Sequence, residues 1–151
     1  MSDYQIAQIN IARMKGVNID DPVMKEFSDN LDRINEIAEA SKGFVWRLKD
    51  ESNNATSINP FDDVQIIINI SVWDSVETLE EFTYKSFHTE YVRRRKEWFN
   101  TFGKAYYAIW WIPRGKHPTI QEAINKLEFL QKNGPTPHAF DFKNRFLPTD
   151  L

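Results

Sequence analysis

Cysteine is absent from the 151-residue chain. Disulfides, thiol catalysis and cysteine-based metal sites are thereby excluded. Histidine is scarce. His88, His117 and His138 stand far apart and show no ligand spacing such as i,i+4 on one helix, so no metal site is expected. Positive charge is not in excess: the net charge is −3, and no global field favours nucleic acid. The one basic cluster, Arg93-Arg94-Arg95-Lys96, would point in different directions around a helix and makes no stripe. No apolar run approaches a membrane span. The N-terminus is polar and lacks the apolar core of a signal peptide. We therefore expect a cytoplasmic protein that engages neither nucleic acid nor membrane. Repeats and long linkers are also lacking. One domain over residues 1–135 is expected, with residues 136–151 as a tail docked on it.

Aromatic residues are abundant, at 14% of the chain, with 11 Phe, 5 Tyr and 5 Trp. Such an excess suits an aromatic-lined pocket, a large apolar interface, or a compact core of large residues. The stretch Gln65–Trp73 narrows the choice. Ile66, Ile68, Ile70 and Val72 fall on one face of a strand, and Gln65, Ile67, Asn69, Ser71 and Trp73 on the other. A plain solvent face would rarely carry Ile67 and Trp73, and a plain core face would not carry Gln65, Asn69 and Ser71. This mixed face suits the lining of a cavity or barrel interior, or a semi-buried interface with satisfied amides.

The first strand, Tyr4 to Arg13, repeats the design: Ala7, Ile9 and Ile11 alternate with Gln8, Asn10 and Ala12. Asp21-Pro22 predicts a helix start, and Gly43 a left-handed stop. Phe44 to Lys49 reads as a second strand, with Phe44, Trp46 and Leu48 on one face and Val45 and Arg47 on the other. The polar stretch 50–63 reads as a loop. After the Gln65–Trp73 strand, Asp74 or Ser75 can cap a second helix bearing Val76, Leu79 and Phe82. Tyr91, Trp98, Phe99 and Phe102 continue the helical pattern beyond a break near His88. Lys104 to Pro113 predicts a fourth strand. Thr119 and Glu122 form a capping box for a third helix, stopped at Asn133-Gly134-Pro135.

The order strand, helix, strand, strand, helix, strand is the ferredoxin-like βαββαβ pattern, here with an extra C-terminal helix. The fold class is α+β. The aliphatic strand faces are expected to meet the helices, leaving the face with Gln8, Asn10, Asn69, Ser71 and Trp73 open. An open patch of that kind calls for a partner, and a second copy is the economical one, giving a homodimer.

Five motifs carry a family resemblance: Gly43-Phe44-Val45-Trp46-Arg47-Leu48, Asn69-Ile70-Ser71-Val72-Trp73-Asp74-Ser75-Val76-Glu77, Arg93-Arg94-Arg95-Lys96-Glu97-Trp98-Phe99, Trp110-Trp111-Ile112-Pro113 and Gly134-Pro135-Thr136-Pro137. They resemble the family of domain of unknown function 3291 over nearly the whole chain. The resemblance implies a dimeric α+β barrel, in the superfamily of the antibiotic biosynthesis and haem-degrading monooxygenases. In the haem-degrading relatives an Asn, a Trp and a following His form the site. Asn10 resembles that Asn and His88 that His, but Phe82 stands at the Trp position and the spacing to the His is shorter. Haem is thus the alternative cofactor, and none is the main expectation. Cofactor-free relatives use Asn and Trp beside an aromatic substrate, which Asn69 and Trp73 resemble.

Two functions of different class follow. A cofactor-independent oxygenase, or an isomerase-like catalyst, would act on a small aromatic or polyketide-like molecule. His88 would be the base, Asn10 and Asn69 would hold an oxyanion, and Trp46, Trp73, Trp111, Phe82 and Arg47 would bind the ligand. Alternatively the chain is a non-catalytic homodimer, binding a small molecule or purely structural.

Overall fold

Both edges of strand β1 (Tyr4–Met14) are paired, which makes it the centre of an antiparallel sheet. The computed structural model describes residues 3–17, 20–49, 65–86, 98–100 and 105–151. His88, the basic cluster 93–96 and the loop expected over 50–63 lie outside these. On one side of β1 runs β3 (Ile66–Trp73), in register from Ile6↔Trp73 to Arg13↔Ile66. β2 (Phe44–Arg47) pairs with the far edge of β3. On the other side lie β4 (Phe99–Asn100), against Arg13 and Met14, and β5 (Tyr107–Pro113), from Tyr4↔Pro113 to Asn10↔Tyr107. The main order β2-β3-β1-β5 is that of the ferredoxin-like split βαβ fold, and the class is α+β as the element order predicts.

The helix starts follow their caps. Asp21 accepts an N–H from Val23 at 3.1 Å and opens a short 3-10 turn, Pro22–Met24, which leads into α1 (Lys25–Ala40). Ser75, not Asp74, caps α2 (Val76–Glu81), exchanging hydrogen bonds with Thr78. A π-helical turn, Phe82–Ser86, continues α2. Thr119 caps α3 (Ile120–Asn133), and Gly134 at φ 74° follows its end. Glu122 does not complete the expected box; its carboxylate accepts the Trp110 indole N–H at 3.2 Å. Phe99 departs from the helical pattern because Lys15 N–H bonds the Trp98 carbonyl at 2.7 Å, drawing this segment onto the end of β1. Phe27 then packs on Phe99 with ring centroids 5.0 Å apart.

The two sheet faces are covered differently from the sequence expectation. The aliphatic face (Ile9, Ile11, Ile68, Ile70, Val72, Trp110) is buried under Ala123, Ile124, Leu127 and Leu130 of α3. α1 and α2 lie on the mixed face instead, with Ala38, Val76 and Leu79 packed about Trp73. The expected open face is therefore partly covered by the chain's own helices, about Trp73, while Asn69 at its centre stays exposed. The physical reason lies in the third helix. Its narrow stripe of Ala, Ile and Leu matches an all-aliphatic sheet face, which leaves the first two helices to the face with amides. Residues beyond α3 return to the sheet, where Phe140 exchanges backbone hydrogen bonds with Ile109 at 2.9 Å and is fully buried.

Candidate functional site

Between the mixed sheet face and its two helices lies a cavity of about 290 Å³, close to the lower end of small-molecule sites. β1 and β3 supply its floor with Gln8, Asn10, Ile67, Asn69, Ser71 and Trp73. α1 supplies Phe27, Ile34, Asn35 and Ala38, and α2 with its π-helical turn supplies Leu79, Phe82, Thr83 and Tyr84. The π turn adds a residue to the helical circuit, so three successive side chains, Phe82, Thr83 and Tyr84, line one cavity.

The floor is a ladder of amides. Gln8 Nε2 donates to Asn69 Oδ1 at 2.6 Å and to Ser71 Oγ at 2.7 Å. Asn10 Nδ2 donates to Gln8 Oε1 at 3.0 Å and to Asn69 Oδ1 at 3.3 Å. Trp73 Nε1 donates to Ser71 Oγ at 2.9 Å. The network couples the three amides' orientations, since turning Asn10 over alone would set its oxygen against two others. It also leaves groups over. Among the described residues the Asn69 NH2, the Ser71 hydroxyl proton and the Asn10 carbonyl oxygen have no partner. Asn35 is 7% exposed, lines the cavity from α1, and its amide makes no hydrogen bond to any described residue. Donors and acceptors are thus presented to an otherwise apolar space.

One charged side chain, Arg47, is among the described lining residues. A bulge puts it there. Phe44 pairs with Trp73, Trp46 with Val72 and Arg47 with Ser71, with a register shift between Phe44 and Trp46. Strict alternation predicts Phe44 and Trp46 on one face; the extra residue instead sends Phe44 and Arg47 to the cavity and Trp46 to the aliphatic side. Arg47 is 6% exposed and donates through Nε and Nη2 to Glu39 Oε1 at 3.2 and 3.1 Å. Trp73 forms an apolar wall. Phe82 stacks on it with centroids 5.0 Å apart and Phe44 meets it edge-on at 5.5 Å, so its ring faces are largely taken.

Opposite Arg47, at the β5 end, the lining is aromatic. Tyr107 packs against Phe142 at 5.5 Å, and Tyr84 meets Phe142 at 5.6 Å. Burial pushes the Tyr107 phenol up to about 12, although its oxygen accepts the Phe142 N–H at 3.3 Å. Burial also raises Tyr84. Both phenols therefore remain protonated near neutral pH.

Residues 5–151 match the family described as Domain of unknown function (DUF3291). The chain belongs to that family. None of the curated proteins matches this DUF3291 domain. Among solved structures it is similar to SnoaB, a cofactor-independent oxygenase from Streptomyces nogalater, at 14% identity over 78% of this chain and 100% of that one, with a TM-score of 0.48. It is also similar to PA3566 from Pseudomonas aeruginosa, at 13% identity over 77% and 98% of the two chains and a TM-score of 0.49. A nipsnap family protein with unknown function from Agrobacterium tumefaciens str. C58 matches at 11% identity over 77% and 95%, with a TM-score of 0.45.

Of the residues singled out from the sequence, the DUF3291 domain brings Asn10, Asn69, Trp73, Phe82 and Arg47 to one cavity. Trp46 lies on the other sheet face, stacked on His117 at 4.6 Å. Trp111 donates its indole N–H to the Phe146 carbonyl at 2.8 Å and packs beside Phe140, outside the lining. His88 is outside the described residues. Sequence reasoning puts Gln8 and Ser71 on the mixed face without a role in the site, and misses Asn35, Tyr84, Tyr107 and Phe142. Asn35 carried a signal: it is a polar residue set between Ile34 and Ala38 of the apolar stripe. Among the described residues no group of three or more His, Cys, Asp or Glu could hold a metal. No described helix is long and apolar enough to cross a membrane.

Proposed function

We propose that the cavity binds a small, flat, oxygen-bearing aromatic molecule. The supporting observation is the set of hydrogen-bonding groups that the amide ladder leaves over, on the floor of a cavity whose remaining walls are mostly aromatic and aliphatic. Aromatic walls suit a planar ring system. The Asn69 and Ser71 donors suit a carbonyl, phenol or enolate oxygen, and the Asn10 and Asn35 carbonyls suit a hydroxyl. Arg47, its charge offset by Glu39, adds positive potential at one end.

Cofactor-independent oxygenation is the reaction such a site would favour. A base removes a proton next to a substrate carbonyl, the Asn69 and Ser71 donors hold the enolate oxygen, and the carbanion meets dioxygen. His88 is the proposed base. A binding-only role is the second reading. It is favoured by the described lining residues, which include no histidine and no carboxylate.

The test is a titration of the protein with 1-naphthol and with anthrone, followed by tryptophan fluorescence, since Trp73 forms a wall. Saturable quenching that weakens in Asn69→Leu supports the site. Oxygen uptake with anthrone, lost in His88→Ala, supports catalysis; binding without uptake supports the second reading. A Soret band on haem titration would replace the aromatic-ligand reading with the haem one.

A further inference from the structure

The chain beyond α3 does more than cover an edge of the sheet. Phe142 belongs to the cavity lining, although it is more than thirty residues in sequence from every other described lining residue. It is held there from several directions. Its N–H donates to the Tyr107 hydroxyl oxygen at 3.3 Å. Its ring packs against Tyr107 and Tyr84. Arg145, three residues on, lies over the Phe142 ring at 5.9 Å and forms an ion pair with Glu80 of α2. The segment is anchored on either side by the Phe140 backbone pair with Ile109 and by the Trp111 bond to the Phe146 carbonyl.

The sheet order gives the cavity a long axis. Arg47 is on β2, at one edge, and Tyr107 with Phe142 is at β5, on the other. Three inter-strand steps separate these strands, about 14 Å. A flat ligand lying across the strands would meet Phe142 at its far end.

We infer that Phe142 sets the length of ligand the cavity accepts, and that the Glu80–Arg145 pair positions it as a movable end wall. This rests on the reading of the cavity as a binding site. The wall is adjustable because its ion pair is partly exposed, with side chains 35% and 39% accessible, and so is screened by salt. The floor and the Arg47 end belong to the sheet and do not share that property.

The experiment measures dissociation constants for 1-naphthol, 1-hydroxyanthracene and 5-hydroxytetracene, of two, three and four fused rings, on the full chain. Parent protein is expected to prefer the shorter probes. Phe142→Ala should move the preference toward the four-ring probe by roughly tenfold or more, with Phe142→Leu in between. Glu80→Gln should make the parent ratio less steep, and the ratio should then lose its dependence on salt. A uniform weakening of all three probes would mean a merely structural role and would overturn the inference. So would an unchanged ratio in a Phe142→Ala protein whose circular dichroism and melting remain cooperative. Failure of every probe to bind the parent would instead sink the binding reading on which the inference stands. Should Phe142→Ala fail to fold, the ratio in Phe142→Leu decides.

Discussion

Asn10 and Asn69 face each other across the central β1–β3 ladder, with Asn10 Nδ2 3.3 Å from Asn69 Oδ1. One oxygen, Asn69 Oδ1, thus accepts from both Asn10 and Gln8. Two neighbouring amides depend on it for their orientation, and the groups they present to the cavity depend on it in turn.

Asn69→Leu should therefore cost more than its own bonds. The Gln8 and Asn10 amides each lose an acceptor, and we expect a stability loss of about 1–2 kcal/mol. Urea denaturation measures it. Affinity for 1-naphthol should fall roughly tenfold in the same variant, equivalent to about 1.4 kcal/mol. Retained affinity would remove the ladder from the site.

Tyr107 gives a pH dependence with a defined sign. Its folded value is raised from 10.0 to about 12, so the folded state holds its proton more tightly than the unfolded chain. The contribution is fully present below pH 10 and is lost as pH rises toward 12. The ultraviolet titration difference between parent and Tyr107→Phe should show a phenol ionising near the upper value. The parent's extra loss of stability above pH 10 should be absent in the variant.

Gly43→Ala tests the approach of the α1–β2 connection to α2. Gly43 has φ 84°, and a Cβ there would lie 2.4 Å from Thr78 Oγ1. Thr78 cannot move away without breaking its exchange with Ser75. We expect a loss of about 1–3 kcal/mol, read as a lowered melting temperature.

Leu127→Ala tests the roof on the aliphatic face. Leu127 is 2% exposed in the α3 stripe, and its truncation should cost about 2–5 kcal/mol. Affinity for 1-naphthol should stay unchanged in the variant that remains folded, because the cavity is on the opposite side of the sheet.

Strands and caps were legible because their signals are local: alternation along Gln65–Trp73, Pro22 after Asp21, Thr119 three residues before Glu122. Placement of the helices was not. Gln8, Asn69 and Ser71 read as part of a mixed face suited to a cavity, but which of these groups bond one another is not visible in a one-dimensional pattern. Only pairing β1 with β3 in the observed register shows that these groups bond one another. The β2 bulge was equally hidden, since Phe44-Val45-Trp46-Arg47 contains no glycine to mark an extra residue. Residues 136–151 read as a docked tail, but the place of Phe142 in the cavity follows from the fold of the whole segment after α3.

The bulge makes the charge inside the cavity a matter of strand register rather than of residue type. Without the register shift between Phe44 and Trp46, every downstream side chain of β2 would turn over. Trp46 would then face the ladder, and Arg47 would be driven among Ile70, Val72 and Trp110. Deleting the extra residue, Val45, would instead let regular pairing keep Trp46 opposite Val72 and Arg47 opposite Ser71, so the cavity would retain its cation. Relatives one residue shorter between Phe44 and Trp46 should therefore accept ligands of the same polarity, whereas those that lose the bulge at unchanged length should not.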